Sequence, residues 1–486
     1  MESFAGIVMH FVGIGGIGMS GIAQVLHSLG CRVQGSDIKE SPTTLKLQSL
    51  GIQVFIGHDG AHLQGVGVVV ISTDIQKNNK ELVAARAQKI PVVHRADMLA
   101  EIMRLKSAVA VAGTHGKTTT TSLVACLLDG AGLDPTVVNG GIINAYGTNA
   151  RRGLGAWVVA EADESDGSFM RLPATVAVVT NIDPEHMCYY GTEEILYKAF
   201  LDFVSRIPFH GVGILCIDHP VVRRLAQNIQ DRRIVTYGFS EDADIRGENI
   251  SLKEGGMEFD IRISAHGQPP YSPHRGAELL HKIEGEVSLK KVFLPMVGQH
   301  NVQNALAAIG VAWQMGMPAP TILQGLRNFS GVKRRFTQVG TVKGVTIIDD
   351  YGHHPVEIQA VLKAARSVCS GKIVAVFQPH RYSRVSDLFS DFTLTFKDAD
   401  HVIVAPIYGA GEENLLGVTH HDLAAGIGAT GHPSVTVMDN PQDLSHLVAP
   451  LIEPGDYVVC LGAGTVTEWA HGLPLSLQTL LSAKAC

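Results

Sequence analysis

An apolar run from Ala108 to Ala112 breaks into Gly113-Thr114-His115-Gly116-Lys117-Thr118-Thr119-Thr120-Thr121, and a helical pattern, Ser122 to Leu128, follows. Few folds accommodate that order. A buried strand must turn at two glycines and feed a helix, which points to an α/β architecture with a parallel sheet. Such a turn leaves backbone N–H groups at the helix start, where the dipole also favours negative charge. Lys117 adds a mobile positive charge, and the Thr118 hydroxyl suits a metal ion carried on phosphates. The stretch reads as a triphosphate-holding loop, although Gly113 and Gly116 stand closer than in the common G-x-x-x-x-G-K-[ST] pattern. A tight turn with a solvated lysine is the plainer alternative. Four consecutive threonines argue against it, because β-branched residues are modest helix formers unless their hydroxyls have work to do.

The same grammar occurs earlier. Ile7 to Val12 is a short strand, Gly13-Ile14-Gly15-Gly16-Ile17-Gly18 follows, and a helix from Met19 to Leu29 leads to a strand, Arg32 to Asp37. This is G-x-G-x-x-G in βαβ context, with an acid about 20 residues on. Gly13, Gly15, Gly16 and Gly18 would seat a diphosphate on the helix N-terminus, and Asp37 would accept from a ribose hydroxyl. The motif does not say which nucleotide. With Val66 to Ser72 and Val92-Val93 as further strands, a Rossmann-like domain is expected over residues 1–106.

A second domain is expected over 107–331. Its strand Ala156 to Ala160 ends in Glu161-Ala162-Asp163-Glu164-Ser165-Asp166, and Ala174 to Ile182 ends at Asp183-Pro184-Glu185-His186. Ligands collect beyond the carboxyl ends of parallel strands, so Glu161 and His186 are candidate Mg²⁺ ligands facing the phosphate loop. A solvated loop of acids is the alternative. Residues 241–295, with Gly255-Gly256, Pro269-Pro270, Pro273 and alternating Phe259, Ile261 and Ile263, read as a β-hairpin insertion. Gly298 to Asn304 then opens a helix, Ala305 to Met315, whose asparagines suit either an adenine edge or a helix cap.

Val332-Lys333-Arg334-Arg335-Phe336 marks the join to a third domain, 332–486, with parallel strands at Thr346 to Ile348, Lys372 to Phe377, His401 to Ala405 and Asp456 to Leu461. Two polar clusters stand at strand ends: Asp349-Asp350-Tyr351-Gly352-His353-His354-Pro355 and Gln378-Pro379-His380-Arg381-Tyr382-Ser383-Arg384. The two arginines can hold a carboxylate or phosphate bidentately, or simply cover one helix face.

Composition narrows the class. A net charge of −7 argues against broad attraction to nucleic acid or anionic membrane. The cysteines number 7 and contain no C-x-x-C pair, which fits a reducing compartment. No apolar run reaches the ~18 residues of a membrane span, and Met1-Glu2-Ser3-Phe4 lacks the basic start of a signal peptide. A cytoplasmic enzyme is expected, with no nucleic-acid or membrane partner.

The chain resembles the Mur ligase family across nearly its whole length. The resemblance is carried by the ordered set Gly13–Gly18, Ala112–Thr121, Glu161–Asp166, Asn181–His186, His300–Asn304, Arg334–Phe336, Asp349–Pro355 and Gln378–Arg384. It implies three α/β domains: a Rossmann-like one for a UDP-sugar, a central P-loop-type ATPase with a parallel sheet, and a Rossmann-like C-terminal domain that closes and binds an amino acid. The implied activity is ATP- and Mg²⁺-dependent joining of L-alanine to the lactyl carboxylate of UDP-N-acetylmuramate, in peptidoglycan precursor synthesis, by a monomer or weak homodimer.

By the same resemblance Gly113, Thr114, His115, Gly116, Lys117, Thr118 and Thr119, with His300, Asn304, Arg335 and Asp350, serve ATP. Gly13, Gly15, Gly16, Gly18, Asp37, Ser72, His115 and Glu161 serve the UDP-sugar. Thr118, Glu161 and His186 hold metal, Tyr351 shapes the alanine pocket, and Lys117, His353, Arg381 and Arg384 are the catalytic set, the last three also meeting the amino acid. The chain departs from the usual Asp-His-Met-Asp with Glu185-His186-Met187-Cys188, and Ser72-Thr73-Asp74-Ile75 also differs. Lys198 is expected on a helix surface rather than near the metal. A relative that ligates a recycled peptide is the nearest alternative. A nicotinamide dehydrogenase or a non-catalytic nucleotide-binding regulator would explain only part of the motif set.

Overall fold

The computed structural model describes residues 6–267 and 285–483. Pro269, Pro270 and Pro273 of the expected insertion, and the first four residues, lie outside the described residues. The chain divides into two compact units. One runs to Gly331, and the other takes Val332 onward together with Leu252–Met257 and Met296–Asn301.

The first unit holds two sheets. The smaller consists of β1 (Val8–Val12), β2 (Arg32–Asp37), β3 (Gln53–Ile56), β4 (Val68–Ile71) and β5 (Val92–His94) in the order β3-β2-β1-β4-β5. All its pairings are parallel, as a doubly wound fold requires. The edge strand β3 is absent from the sequence reading; its apolar run, Val54-Phe55-Ile56, is only three residues long, between Gln53 and Gly57.

The larger sheet has ten strands: β6 (Ser107–Ala112), β7 (Thr136–Ile143), β8 (Thr148–Arg151), β9 (Trp157–Glu161), β10 (Val176–Val179), β11 (Val212–Cys216), β12 (Ile234–Gly238), β13 (Ile245–Lys253), β14 (Gly256–Ile263) and β15 (Val287–Leu294). Strands β13 to β15 form one end of this sheet. The stretch read as an insertion is therefore a continuation of the central sheet, with β13 joined in parallel to β12. β6 lies between β10 and β9, parallel to both. The chain's winding reverses there, so the loop after β6 opens at the sheet's switch point.

The helix after that loop runs Lys117–Gly130, five residues earlier in its start than the pattern suggested. Thr118 to Thr121 all lie inside it and are buried. Their burial against neighbouring strands outweighs the modest helix preference of threonine.

The second unit is built on a six-stranded sheet: β16 (Thr337–Val342), β17 (Val345–Asp350), β18 (Ile373–Phe377), β19 (His401–Val404), β20 (Val435–Val437) and β21 (Tyr457–Leu461), ordered β16-β17-β21-β18-β19-β20. Only β16 with β17 is antiparallel. Apolar clusters cover it on both faces: Ile348, Phe377, Phe392 and Phe396 in one, Ile347, Val376, Leu473 and Leu477 in the other. Among the described residues, no helix is long and apolar enough to cross a membrane.

Candidate active site

Two glycines shape the phosphate loop. Gly113 has φ +128°, and a Cβ there would lie 2.1 Å from Thr180 Oγ1. Gly116, at φ +84°, leads into the helix, and a Cβ would meet Asn304 Oδ1 at 2.5 Å. The loop is strapped to the end of β10. Asn181 O accepts from Thr114 N at 3.1 Å, and Asn181 Oδ1 accepts from His115 N at 2.7 Å. Thr180 Oγ1 donates to His115 O at 2.6 Å, and Asp183 N donates to Thr114 Oγ1 at 2.9 Å. The helix beyond supplies the N–H groups that have no partner within the helix.

Lys117 folds back over this loop. Its Nζ donates to Gly113 O and Thr114 O and lies 2.7 Å from Glu164 Oε2. Burial works against the ammonium, but Glu164, Asp163 and Glu161 together hold its pKa above the ordinary lysine value. Glu164 is 1% exposed. Burial drives its carboxyl up to about 7, with Lys117 opposing that rise and Asp163 adding to it. The second Glu164 oxygen, Oε1, is buried without a hydrogen-bond partner and lies 3.8 Å from His186 Nε2. His186 is also 3.5 Å from Glu185 Oε2. One ligand atom each from Glu164, Glu185 and His186 falls within 4.8 Å of the others.

This set fits a hard divalent cation: two carboxylates and one imidazole around an unsatisfied carboxylate oxygen. It shares His186 with the expected set, whose Glu161 accepts from Gly140 N through Oε2 at 2.8 Å. Thr118 is buried in the first helical turn, and its carbonyl accepts from Ser122 Oγ. Sequence reasoning missed Glu164 and Glu185 as partners of His186. Their positions after two strands were visible, but which acid turns inward was not.

The glycine loop after β1 is organised from within. Gly13 N and Ile14 N both donate to Ser36 O, and Asp37 Oδ2 accepts from Gly15 N at 2.8 Å. Asp37 Oδ1 accepts from Ile38 N, so both carboxylate oxygens brace the backbone. Ser72 stands half-buried after β4, its carbonyl accepting from Ile75 N. Arg95, unforeseen, lies against Gly18 at 3.3 Å from its hypothetical Cβ and reaches Asp163 at 2.5 Å. His94 pairs with Asp166 at 3.2 Å. These contacts tie the first sheet's glycine helix to the acids after β9.

Asn304 touches the phosphate loop itself: its Oδ1 accepts from Thr120 Oγ1 at 3.2 Å and faces Gly116. Lys198 is exposed on the helix Glu193–Ser205, as expected, and Cys188 is exposed beside His186.

In the second unit, Asp350 Oδ1 and Oδ2 accept from Gly352 N and Phe336 N, and burial lifts its pKa to about 6. This carboxylate holds the Arg334–Phe336 turn to the end of β17. The guanidinium groups of Arg334 and Arg335 lie 4.8 and 5.2 Å from the Tyr351 ring centroid. Tyr351, His353, His380 and Tyr408 form a run of rings with centroids 5.2 to 5.6 Å apart. Arg384 Nη1 stands 3.2 Å from His380 Nδ1, and Arg381 pairs with Glu412 at 3.3 Å. Tyr351, His353, Arg381 and Arg384 are thus brought to one sheet edge, with His380 between them. His300, against Gly298, has its pKa lowered to about 4 by burial and Arg335.

Fold and site together define a nucleotide-handling enzyme with a phosphate loop at a switch point. Three family models match successive stretches: "Mur ligase family, catalytic domain" over 8–107, "Mur ligase middle domain" over 111–312, and "Mur ligase, glutamate ligase domain" over 334–464. The chain belongs to the Mur ligase family. It is 54% identical to a UDP-N-acetylmuramate–L-alanine ligase of Azorhizobium caulinodans over 97% of this chain and 98% of that one. One from Rhodospirillum rubrum matches at 54%, covering 97% and 95%. A solved UDP-N-acetylmuramate-alanine ligase from Thermotoga maritima superposes with TM-score 0.79 at 26% identity, covering 98% of this chain and 100% of that one. A murein peptide ligase from Psychrobacter arcticus shares the fold, with TM-score 0.70 at 22% identity over 97% and 99%.

Proposed function

We propose that the chain ligates L-alanine to the lactyl carboxylate of UDP-N-acetylmuramate at the expense of ATP, releasing ADP and phosphate, in peptidoglycan precursor synthesis. The observation that carries this reading is whole-length identity of 54% to alanine ligases, in a chain whose phosphate-loop lysine is paired with a buried glutamate. The recycled-peptide alternative is not favoured, since the relatives matched at 54% over nearly the whole chain are alanine ligases. A nicotinamide dehydrogenase leaves the Lys117 site without use.

A carboxylate is a poor electrophile, so the acid must be activated. A lactyl oxygen attacks the terminal phosphorus of ATP, the bond to ADP breaks, and an acyl phosphate forms. The neutral amine of alanine then adds to the acyl carbon, and the tetrahedral adduct expels phosphate. Two anions must meet in the first step, so cations govern it. Lys117, held charged over the loop, is positioned for the β- and γ-phosphates. Glu164, Glu185 and His186 are the residues that would hold Mg²⁺, which neutralises phosphate charge when bound; Thr118 and Glu161 remain candidates beside them.

In the second unit, Arg381 and Arg384 supply the charge that suits the amino acid's carboxylate, and Tyr351 a wall of its pocket. His353 is a base for the amine's proton. Its Nδ1 lies 2.9 Å from Tyr351 O, which only accepts, so the neutral ring's lone pair sits on Nε2. Arg335, Asp350 and His300 are assigned to the nucleotide, Asp350 by fixing the turn that carries Arg335. We read domains at 1–106, 107–331 and 332–486 for UDP-sugar, ATP and amino acid, in a cytoplasmic monomer or weak homodimer.

The test is phosphate release from ATP with UDP-N-acetylmuramate against a panel of amino acids. Release should require Mg²⁺ and be greatest with L-alanine. Release that ignores alanine would overturn the assignment.

A further inference from the structure

The second unit holds another group of convergent side chains, which the ligation chemistry does not use. The helix His420–Ala429 opens with two histidines, and β20 ends two residues before Asp439. Thr419 caps that helix. Its hydroxyl accepts from Asp422 N, while the Asp422 carboxylate accepts from Thr419 N and Oγ1. The first turn is therefore fixed in place. Successive residues of a helix leave its axis about 100° apart, yet both imidazoles turn to the same atom. His420 Nε2 lies 2.9 Å and His421 Nε2 2.7 Å from Asp439 Oδ1. The two rings are 4.4 Å apart, and one ligand atom from each residue lies within 4.8 Å of the other two.

Two imidazole nitrogens and one carboxylate oxygen on one side of a point are a donor set for a transition metal rather than for Mg²⁺, which keeps to oxygen. His421 and Asp439 are 58% and 70% exposed, which leaves the opposite side to water. The plainer account is a pair of imidazoles hydrogen-bonded to one carboxylate oxygen. The same three donor atoms, gathered on one side of a point that is open to water, also meet the needs of a shared cation.

We propose that His420, His421 and Asp439 form a surface site for one divalent transition-metal ion of the zinc type, completed by water. The site ties the start of the helix to the end of β20. It thereby closes the far end of the segment 405–419 that leaves β19. That segment carries Glu412, which accepts from Ser383 N at 3.0 Å and from Ser383 Oγ at 2.7 Å and pairs with Arg381. Metal binding would stiffen the connection that steadies Arg381. This last consequence rests on the role proposed for Arg381; the metal site does not.

The experiment is a Zn²⁺ titration of the full, chelator-stripped chain against a chromophoric competitor, with millimolar Mg²⁺ present to occupy the oxygen-rich group at Glu164. The wild type should bind one Zn²⁺ that the double variant His420→Ala/His421→Ala does not, and its melting temperature should rise with Zn²⁺ only when both histidines are present. Each single variant should weaken that site roughly ten-fold or more. Co²⁺ in place of Zn²⁺ should give visible absorption of a nitrogen-ligated ion, lost in the double variant. Should the double variant misfold by circular dichroism, Asp439→Asn must show the same weakening. Equal zinc stoichiometry and affinity in wild type and variants, or no saturable binding by the wild type, would overturn the proposal.

Discussion

Replacing Gly113 by alanine tests the phosphate loop most directly. The residue sits at φ +128°, where an L side chain is strained, and its Cβ would stand 2.1 Å from Thr180 Oγ1 and 3.0 Å from both Asn181 O and Thr180 N. The backbone conformation alone costs about 1–3 kcal/mol. Thr180 can rotate away only by giving up its bond to His115 O, about 1 kcal/mol more, and the two backbone atoms cannot rotate at all. A loss of about 2–4 kcal/mol is expected. Because Gly113 O accepts from Lys117 Nζ, a shifted loop also carries the lysine away. Steady-state phosphate release should show kcat/KM for ATP falling about a hundred-fold or more, with KM for the UDP-sugar nearly unchanged. Two controls separate the contributions. Gly132→Ala has φ +73° and nothing within 4 Å, so it should cost only the backbone part, about 1–2 kcal/mol. In Gly116→Ala, at φ +84°, the nearest atoms to the new methyl belong to the Asn304 side-chain amide, which can move further than backbone, so the loss should be intermediate. If Gly113→Ala melts no earlier than Gly132→Ala and uses ATP like the wild type, the strapping of the loop to β10 is not what positions it.

Lys117→Ala should lower ligation by about 10²–10³-fold or more while calorimetry finds UDP-sugar affinity unchanged; a variant that turns over normally removes the lysine from the mechanism. His353→Ala should flatten the acidic limb of the pH profile of kcat/KM for alanine, and an identical profile in both proteins would take the base role from His353. The third concerns Glu81, which is fully buried and accepts from Ser36 Oγ and lies 2.7, 3.1 and 3.3 Å from nitrogens of His62, His58 and His10. Burial alone would raise its pKa, but hydrogen bonds from His10, Ser36 and His62 bring it down to about 2. A depressed acid stabilises the fold above its unfolded value and ceases to as pH falls through the folded one, a contribution of about 3 kcal/mol. The melting gap between wild type and Glu81→Gln should hold from neutral pH down to about 4.5 and close between there and about 2; a gap that widens on acidification contradicts the assignment.

What could be read in the chain was whatever the backbone demands of a particular residue type. Gly113 and Gly116 are legible because their positive φ strains any L side chain, and Gly13 after β1 for the same reason. The α/β class followed, since each such turn needs a strand before it and a helix after. Burial set by distant partners was not legible. The helical pattern begins at Ser122, yet the helix begins at Lys117, and within it Thr120 meets Asn304 from 184 residues away. β13 to β15 alternate like a solvated hairpin, and only the pairing of β12 with β13 makes them part of the central sheet. The acids after β9 behave the same way: among Glu161, Asp163 and Glu164, sequence order has no means of telling that the first turns to Gly140 N and the third to Lys117. A site is thus legible where a residue type is forced by its own backbone, and illegible where interchangeable carboxylates are sorted by the strand register around them. For that reason Glu164 and Glu185, not the glycines, are the positions at which mutagenesis of this site will teach the most.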